Sequence, residues 1–237
     1  MTTNSPTEVH SRPTDRPLAV IFDMDGVLVD SYRAHLQSWQ FMADELGKGL
    51  TEAQFVATFG RTSREIIAEH WGADFLTREE IADFDRRKEA LYRQLVIQDF
   101  PVMDGAIELI GDLHAAGFRL AVGSSGPPEN VALAVERLDA ARFFDVLVTG
   151  KDVHRGKPDP QVFLVAAERL GVPPADCAVV EDAPVGILAA NAAKMASIAL
   201  VSTGHTPESV SDARLVVRTL RELSPARIAA LIGSRIH

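Results

Sequence analysis

The sequence predicts an α/β fold, a doubly wound parallel sheet with a small α-helical cap domain inserted after the first strand. Three observations carry this. The run Leu18-Ala19-Val20-Ile21-Phe22 is apolar and rich in β-branched residues, and it stops at Asp23-Met24-Asp25-Gly26, as a buried parallel strand entering a functional loop does. Residues 32–100 then show helical periodicity with little strand character. From residue 101 onward helical and strand segments alternate, the pattern of a parallel sheet covered on both faces. The core domain is accordingly 18–31 with 101–237, and the cap is 32–100. Residues 1–17 are polar and proline-bearing, with no apolar stretch of the kind a signal peptide needs, and read as a loose tail.

In the cap, Leu36, Trp39, Ala43 and Leu46 recur at helical spacing and end at Gly47, a helix stop. Thr51 with Gln54, Thr62 with Glu65 and Thr77 with Glu80 each match a capping box and open three further helices. The last of these carries Ile81, Phe84, Lys88, Leu91 and Leu95 on its inward stripe. In the core, a helix from about Asp104 stops at Gly117, a strand follows at 118–123, and Pro127 suits the first turn of the next helix. Strands are expected at 145–149, 177–180, 197–201 and 215–217. Helices end at Gly171 and begin near Pro184 and Pro225.

At 237 residues and 46% apolar composition the chain can bury a sizeable core. Its net charge of −9 argues against nucleic acid and anionic membrane as partners, so an anionic ligand needs local positive charge. The single cysteine, Cys177, excludes an intrachain disulfide; its apolar surroundings suit a buried thiol, and a cytoplasmic location is expected. No apolar run approaches the ~20 residues that span a bilayer. Nothing in the sequence sets the oligomeric state.

Asp23, Asp25, Ser124, Glu181 and Asp182 all fall at or just beyond strand C-termini, the edge where open α/β sheets bind ligands. Side chains two apart in extended chain share a side, which brings Asp23 and Asp25 together. Either one of them is protonated or a cation lies between them, and both arrangements serve phosphoryl transfer. Asp23 suits a carboxylate nucleophile and Asp25 a general acid/base, provided its surroundings raise its pKa. Glu181-Asp182 brings the acids to four, a set that a hard oxygen-ligated ion, Mg²⁺ above all, would neutralise. Ser124, between a strand and a helix, can hold phosphoryl oxygens through its hydroxyl and nearby amides. Lys157, fixed by the prolines of Gly156-Lys157-Pro158-Asp159-Pro160, can neutralise Asp23 and the phosphoryl group. In the cap, Lys88 lies on an apolar stripe, an unfavourable place for a charge unless it points into a cleft.

Phe22-Asp23-Met24-Asp25-Gly26-Val27-Leu28-Val29-Asp30-Ser31 resembles the first motif of the haloacid dehalogenase-like (HAD) superfamily, in its phosphatase and phosphomutase branch. Gly123-Ser124-Ser125 resembles the second motif, Gly156 to Pro160 the third, and Val180-Glu181-Asp182-Ala183-Pro184-Val185-Gly186 the fourth. The resemblance covers about residues 18–220 and implies a HAD-like core in which Asp23 is the nucleophile and Asp25 the acid/base. It further implies that the Asp25 backbone carbonyl joins Asp23, Glu181 and Asp182 on Mg²⁺, and that Ser125 binds substrate. His35, Arg64 and Lys88, with Trp39 beside them, resemble the polar groups that caps of the β-phosphoglucomutase type lower onto the site. Arg61 and Arg64 beside Gly60 would suit a second anion, and Trp39 and Phe41 could line an aromatic pocket. The expected activity is Mg²⁺-dependent hydrolysis of a small phosphate ester, such as a sugar phosphate, phosphoglycolate or a nucleoside 5′-phosphate, through an aspartyl-phosphate. Ser125-Gly126-Pro127-Pro128-Glu129-Asn130 lacks the lysine of the mutase pattern, which places a sugar phosphomutase second. A non-catalytic phosphoacceptor module comes third, since it needs neither Asp25 nor a cap.

Overall fold

The computed structural model describes residues 16–58, 61–202 and 204–234; all but the last two residues of the expected tail, and Gly60, lie outside them. The described residues form a six-stranded parallel sheet in the order β3-β2-β1-β4-β5-β6. Its strands are β1 (Ala19–Phe22), β2 (Arg119–Gly123), β3 (Val146–Val148), β4 (Cys177–Glu181), β5 (Ala196–Leu200) and β6 (Leu215–Val217). The order reverses between β1 and β4, which opens a crevice at the end of β1. Phe22 pairs with both Val122 and Val180, so the three central strands end level. That register delivers Asp23, Ser124 and Glu181 to one edge.

Side chains alternate across the sheet and build two cores. Val20, Phe22, Leu120, Val122, Ala178 and Val180 pack under α5 (Ala106–Ala115), α6 (Pro128–Arg137) and α9 (Pro225–Gly233). Ala19, Ile21, Ala121, Cys177 and Val179 face the opposite way, under α7 (Gln161–Leu170) and α8 (Pro184–Ala192). Each large side chain fully buried here, such as Phe22 or Ile110, contributes about 1.5–3 kcal/mol.

The cap is α1 (Tyr32–Glu45), α2 (Glu52–Thr58), α3 (Ser63–Trp71) and α4 (Arg78–Val96). Thr62 with Glu65 and Thr77 with Glu80 form the expected capping boxes, and Thr51 exchanges the same bonds with Gln54. A third core joins Leu36, Trp39, Met42, Phe55, Ile66, Ile67 and Phe84. The inward stripe of α4 differs from expectation: Phe84, Lys88, Tyr92 and Val96 are buried, while Ile81, Leu91 and Leu95 are half-buried. Residues four apart drift by about 40° around a helix. The stripe therefore turns from the cap core at Phe84 to the sheet core at Tyr92 and Val96. No helix among the described residues is long and apolar enough to cross a membrane.

Candidate active site

Asp23 continues the sheet, its N–H donating to Val180 O at 2.9 Å. The chain then turns sharply, with Gly26 N–H donating to Val29 O at 2.8 Å and Leu28 N–H to Met24 O at 2.9 Å. Gly26 has φ +74°, and a Cβ there would lie 1.9 Å from Asp182 Oδ2, so only glycine lets this loop close on that carboxylate. Ser202, on the loop after β5, donates to Asp182 Oδ2 at 2.6 Å.

Lys157 enters from the loop before α7. Its Nζ lies 2.5 Å from Asp23 Oδ1 and 2.5 Å from Glu181 Oε1. Glu181 uses its other oxygen to accept from the amides of Asp182 at 2.8 Å and Ala183 at 2.7 Å. Gly186, in the first turn of α8, gives it room: a Cβ there would meet Glu181 Oε1 at 1.8 Å. Gly186→Ala is expected to displace Glu181, and Lys157 with it, and to lower stability by about 1–3 kcal/mol. Urea unfolding with unchanged midpoint would contradict this packing.

Carboxylate oxygens of Asp23, Glu181 and Asp182 come within 4.8 Å of one another, and all three residues are buried. Burial pushes the Asp23 carboxyl up to about 7, with Glu181 and Asp25 adding to the effect and Lys157 opposing it. Burial, then Glu181 and Asp23, likewise raise Asp182 well above the ordinary range, against the bond from Ser202 and the charge of Lys157. One lysine does not neutralise this group, and its all-oxygen donor set fits a hard divalent cation. The folded protein without metal binds a proton at Asp23 more tightly than the unfolded chain does. Its stability should therefore fall as pH rises from 3.8 to about 7. A divalent cation held by these acids would displace that proton, so added Mg²⁺ is expected to raise the melting temperature more at about pH 8 than at about pH 5. Equal rises at both would move the cation away from these acids.

Ser124 is buried at the end of β2; its N–H donates to Val148 O at 3.0 Å, and its Oγ accepts from Gly126 N–H at 3.0 Å. The hydroxyl proton is left for an oxygen bound in the cavity. That cavity, about 200 Å³, lies between sheet edge and cap, and Asp23, Asp25, Ser124, Ser125, Lys157, Glu181 and Asp182 all reach it.

From the cap, His35, Trp39 and Lys88 line the same space. His35 Nε2 is 3.3 Å from Asp25 Oδ1, and its ring stacks on Tyr92 at 4.0 Å, 5° from parallel. Tyr92 Oη donates to the same Asp25 oxygen at 3.3 Å. Burial works to raise Asp25, yet the hydrogen bond and charge of His35, with Ser31 and Lys88, outweigh it and hold the carboxyl below its ordinary 3.8. The expectation of a raised Asp25 is thus corrected, because cap groups set its charge. Lys88 pairs with Glu89 and lies 5.8 Å from the Trp39 ring centroid; Trp39 itself packs on Phe84 at 5.1 Å.

Two expectations for the cap are corrected. Arg64 is exposed and does not line the cavity; it sits two residues before Ile66, about 200° around α3, so Ile66 facing the cleft turns Arg64 away. Arg61, ahead of that helix, lines the cavity instead and pairs with Glu69. Phe41 is 54% exposed, for the same reason relative to Trp39, and Phe55 supplies the second aromatic wall. Nothing local in the sequence marks Tyr92, Glu89, Asn130 or Ser202 as members of the site. Tyr92 alone follows from a helical rule, four residues after Lys88.

Comparison with known proteins agrees with this geometry. The family model described as haloacid dehalogenase-like hydrolase matches residues 17–194. The chain is 31% identical over 211 residues to validoxylamine A 7′-phosphate phosphatase of Streptomyces hygroscopicus subsp. limoneus, covering 86% of this chain and 94% of that protein. It is also 31% identical over 220 residues to the β-phosphoglucomutase of Bacillus subtilis, covering 87% and 91%. Among solved structures, a family IA, variant 3 HAD hydrolase from Entamoeba histolytica superposes with a TM-score of 0.84 at 27% identity, over 92% of this chain and all of that one.

Proposed function

The chain belongs to the haloacid dehalogenase-like hydrolases, and from that membership we propose that it is a Mg²⁺-dependent phosphatase of small phosphomonoesters. The observation that carries this is Asp23 at the end of the central strand, 2.5 Å from a buried lysine and sharing one cavity with Asp25. Asp23 attacks phosphorus and becomes the aspartyl-phosphate, splitting one difficult displacement into two. Asp25 gives the leaving oxygen its proton, then takes one from the water that hydrolyses the acyl phosphate. Its lowered pKa suits the second half. A bound dianionic phosphate works in favour of the first, since added negative charge strengthens a carboxyl's hold on a proton. Lys157 favours the ionised form of Asp23 and aims it, and the Ser124 hydroxyl with the amide of Ser125 holds the phosphoryl oxygens. Asp23, Glu181, Asp182 and the Asp25 carbonyl would hold Mg²⁺, which supplies positive charge to the transferring group.

The leaving group lies towards His35, Lys88, Trp39, Arg61 and Asn130, and a compact polar substrate suits these walls. The Streptomyces relative, a phosphatase by name, supports hydrolysis. The Bacillus relative, a mutase by name, together with His35 and Lys88, supports sugar phosphomutase activity as the second reading. A single cysteine, Cys177, free and buried, is compatible with a reducing compartment, and we place the enzyme in the cytoplasm. The test is phosphate release from a panel of phosphomonoesters, with Mg²⁺ and with chelator. Release that stops with chelator and returns with Mg²⁺ is expected. Conversion of β-glucose 1-phosphate to glucose 6-phosphate without free phosphate would establish the mutase instead.

A further inference from the structure

Among the described residues, each cap group that can carry positive charge into the cavity already faces a carboxylate, His35 that of Asp25 and the two others a cap acid. Lys88 pairs with Glu89 and Arg61 with Glu69, while Lys157, at the sheet edge, serves Asp23 and Glu181. Of these cap acids, Glu89 lines the cavity itself. It is also held firmly: Asn130, 2% exposed at the start of α6, donates from Nδ2 to Glu89 Oε2 at 2.7 Å. The other end of the Asn130 amide accepts from Arg93 Nη1 at 2.8 Å, which fixes which way the amide faces. Burial opposes the charge on Glu89, but Lys88, His35 and Asn130 more than offset this, and its carboxyl lies below its ordinary value.

We propose that Glu89 is the specificity-determining residue of the leaving-group pocket, selecting uncharged, hydroxyl-bearing leaving groups and rejecting those that carry a second phosphate. The inference rests on the phosphatase reading. Glu89 acts twice: it occupies the one buried cap ammonium a second phosphate would need, and it sets its own negative charge in that phosphate's path. Discrimination by a repulsive group is the general way an interface refuses a close analogue. Neutral hydroxyls suffer neither effect, and the Lys88–Glu89 pair offers them both donors and acceptors.

The experiment compares kcat/KM for glucose 6-phosphate with glucose 1,6-bisphosphate, and fructose 6-phosphate with fructose 1,6-bisphosphate, in wild type and in Glu89→Gln. Gln keeps the shape and can still accept from Asn130, while it releases Lys88. Wild type should use the monophosphates better than the bisphosphates by about thirtyfold, and Glu89→Gln should narrow that ratio by about tenfold. A general loss of folding or alignment lowers both members of a pair and leaves the ratio unchanged, so the ratio isolates the charge. Bisphosphates used within threefold of monophosphates by wild type, or an unchanged ratio in folded Glu89→Gln, would overturn the inference while leaving the phosphatase intact. Should the variant not fold, the wild-type ratio decides. No phosphate release from any monophosphate of the wider panel would overturn the phosphatase reading, and the inference with it.

Discussion

Asp23→Asn should leave the protein folded and lower phosphate release by more than about a thousandfold. The amide is nearly isosteric with the carboxylate and can still accept from Lys157, which sits 2.5 Å away, but it is not a nucleophile towards phosphorus. The same substitution has a second readout that does not involve turnover. Asp23 is the group that burial pushes up to about 7, so in the metal-free wild type it is a source of falling stability across that pH range. Removing this group should make the profile shallower, with Asp182 still contributing to it, and thermal melts of both proteins at several pH values would show it. Activity within tenfold of wild type, with contaminating phosphatase excluded, would refute the nucleophile assignment. A stability profile as steep as wild type would refute the account of its charge.

Lys157→Met should be harmful to fold and activity alike. The ammonium is buried between Asp23 and Glu181, with Nζ 2.5 Å from an oxygen of each, and each of the three side chains is 10% exposed or less. Taking one partner out of a buried ionic group leaves the others uncompensated, a change that typically destabilises by about 3–5 kcal/mol. Urea unfolding would measure it. Turnover should fall by at least about a hundredfold, because the same nitrogen meets the charge that builds on the phosphoryl group. Lys157→Arg separates the two effects: a restored charge recovers much of the stability, but a planar fork does not reproduce one point contact to two carboxylates, and turnover stays low. Equal recovery of both would mean that charge alone matters here.

The parts of the site legible in the sequence are those fixed by one element each. Asp23, Ser124 and Glu181 stand where an apolar strand pattern breaks, and the register in which β1 pairs with β2 and β4 brings such breaks together. Lys157 follows from its loop. What stayed hidden depends on the rotation of one helix against another. Arg64 and Arg61 are three residues apart and chemically alike; only the direction in which Ile66 points separates them. Glu89 reads as one more surface charge on α4 until α6 is known to lie against it with Asn130 at the contact. The lowered pKa of Asp25 stays hidden for the same reason, since His35 reaches it from α1 and the charge of Lys88 acts on it from α4.

α4 spans two hydrophobic cores: Phe84 belongs to the cap and Val96 to the sheet. Mechanically it is a beam clamped at one end, with the substrate-facing groups partway along its free length. Lys88 stands four residues from Tyr92, where the sheet core takes hold of the helix, about 6 Å along the axis, so a tilt of about 10° there carries the helix at Lys88 through about 1 Å. Asn130 ties that beam to α6 at two points, Glu89 and Arg93, so a tilt of α4 against α6 strains both bonds at once.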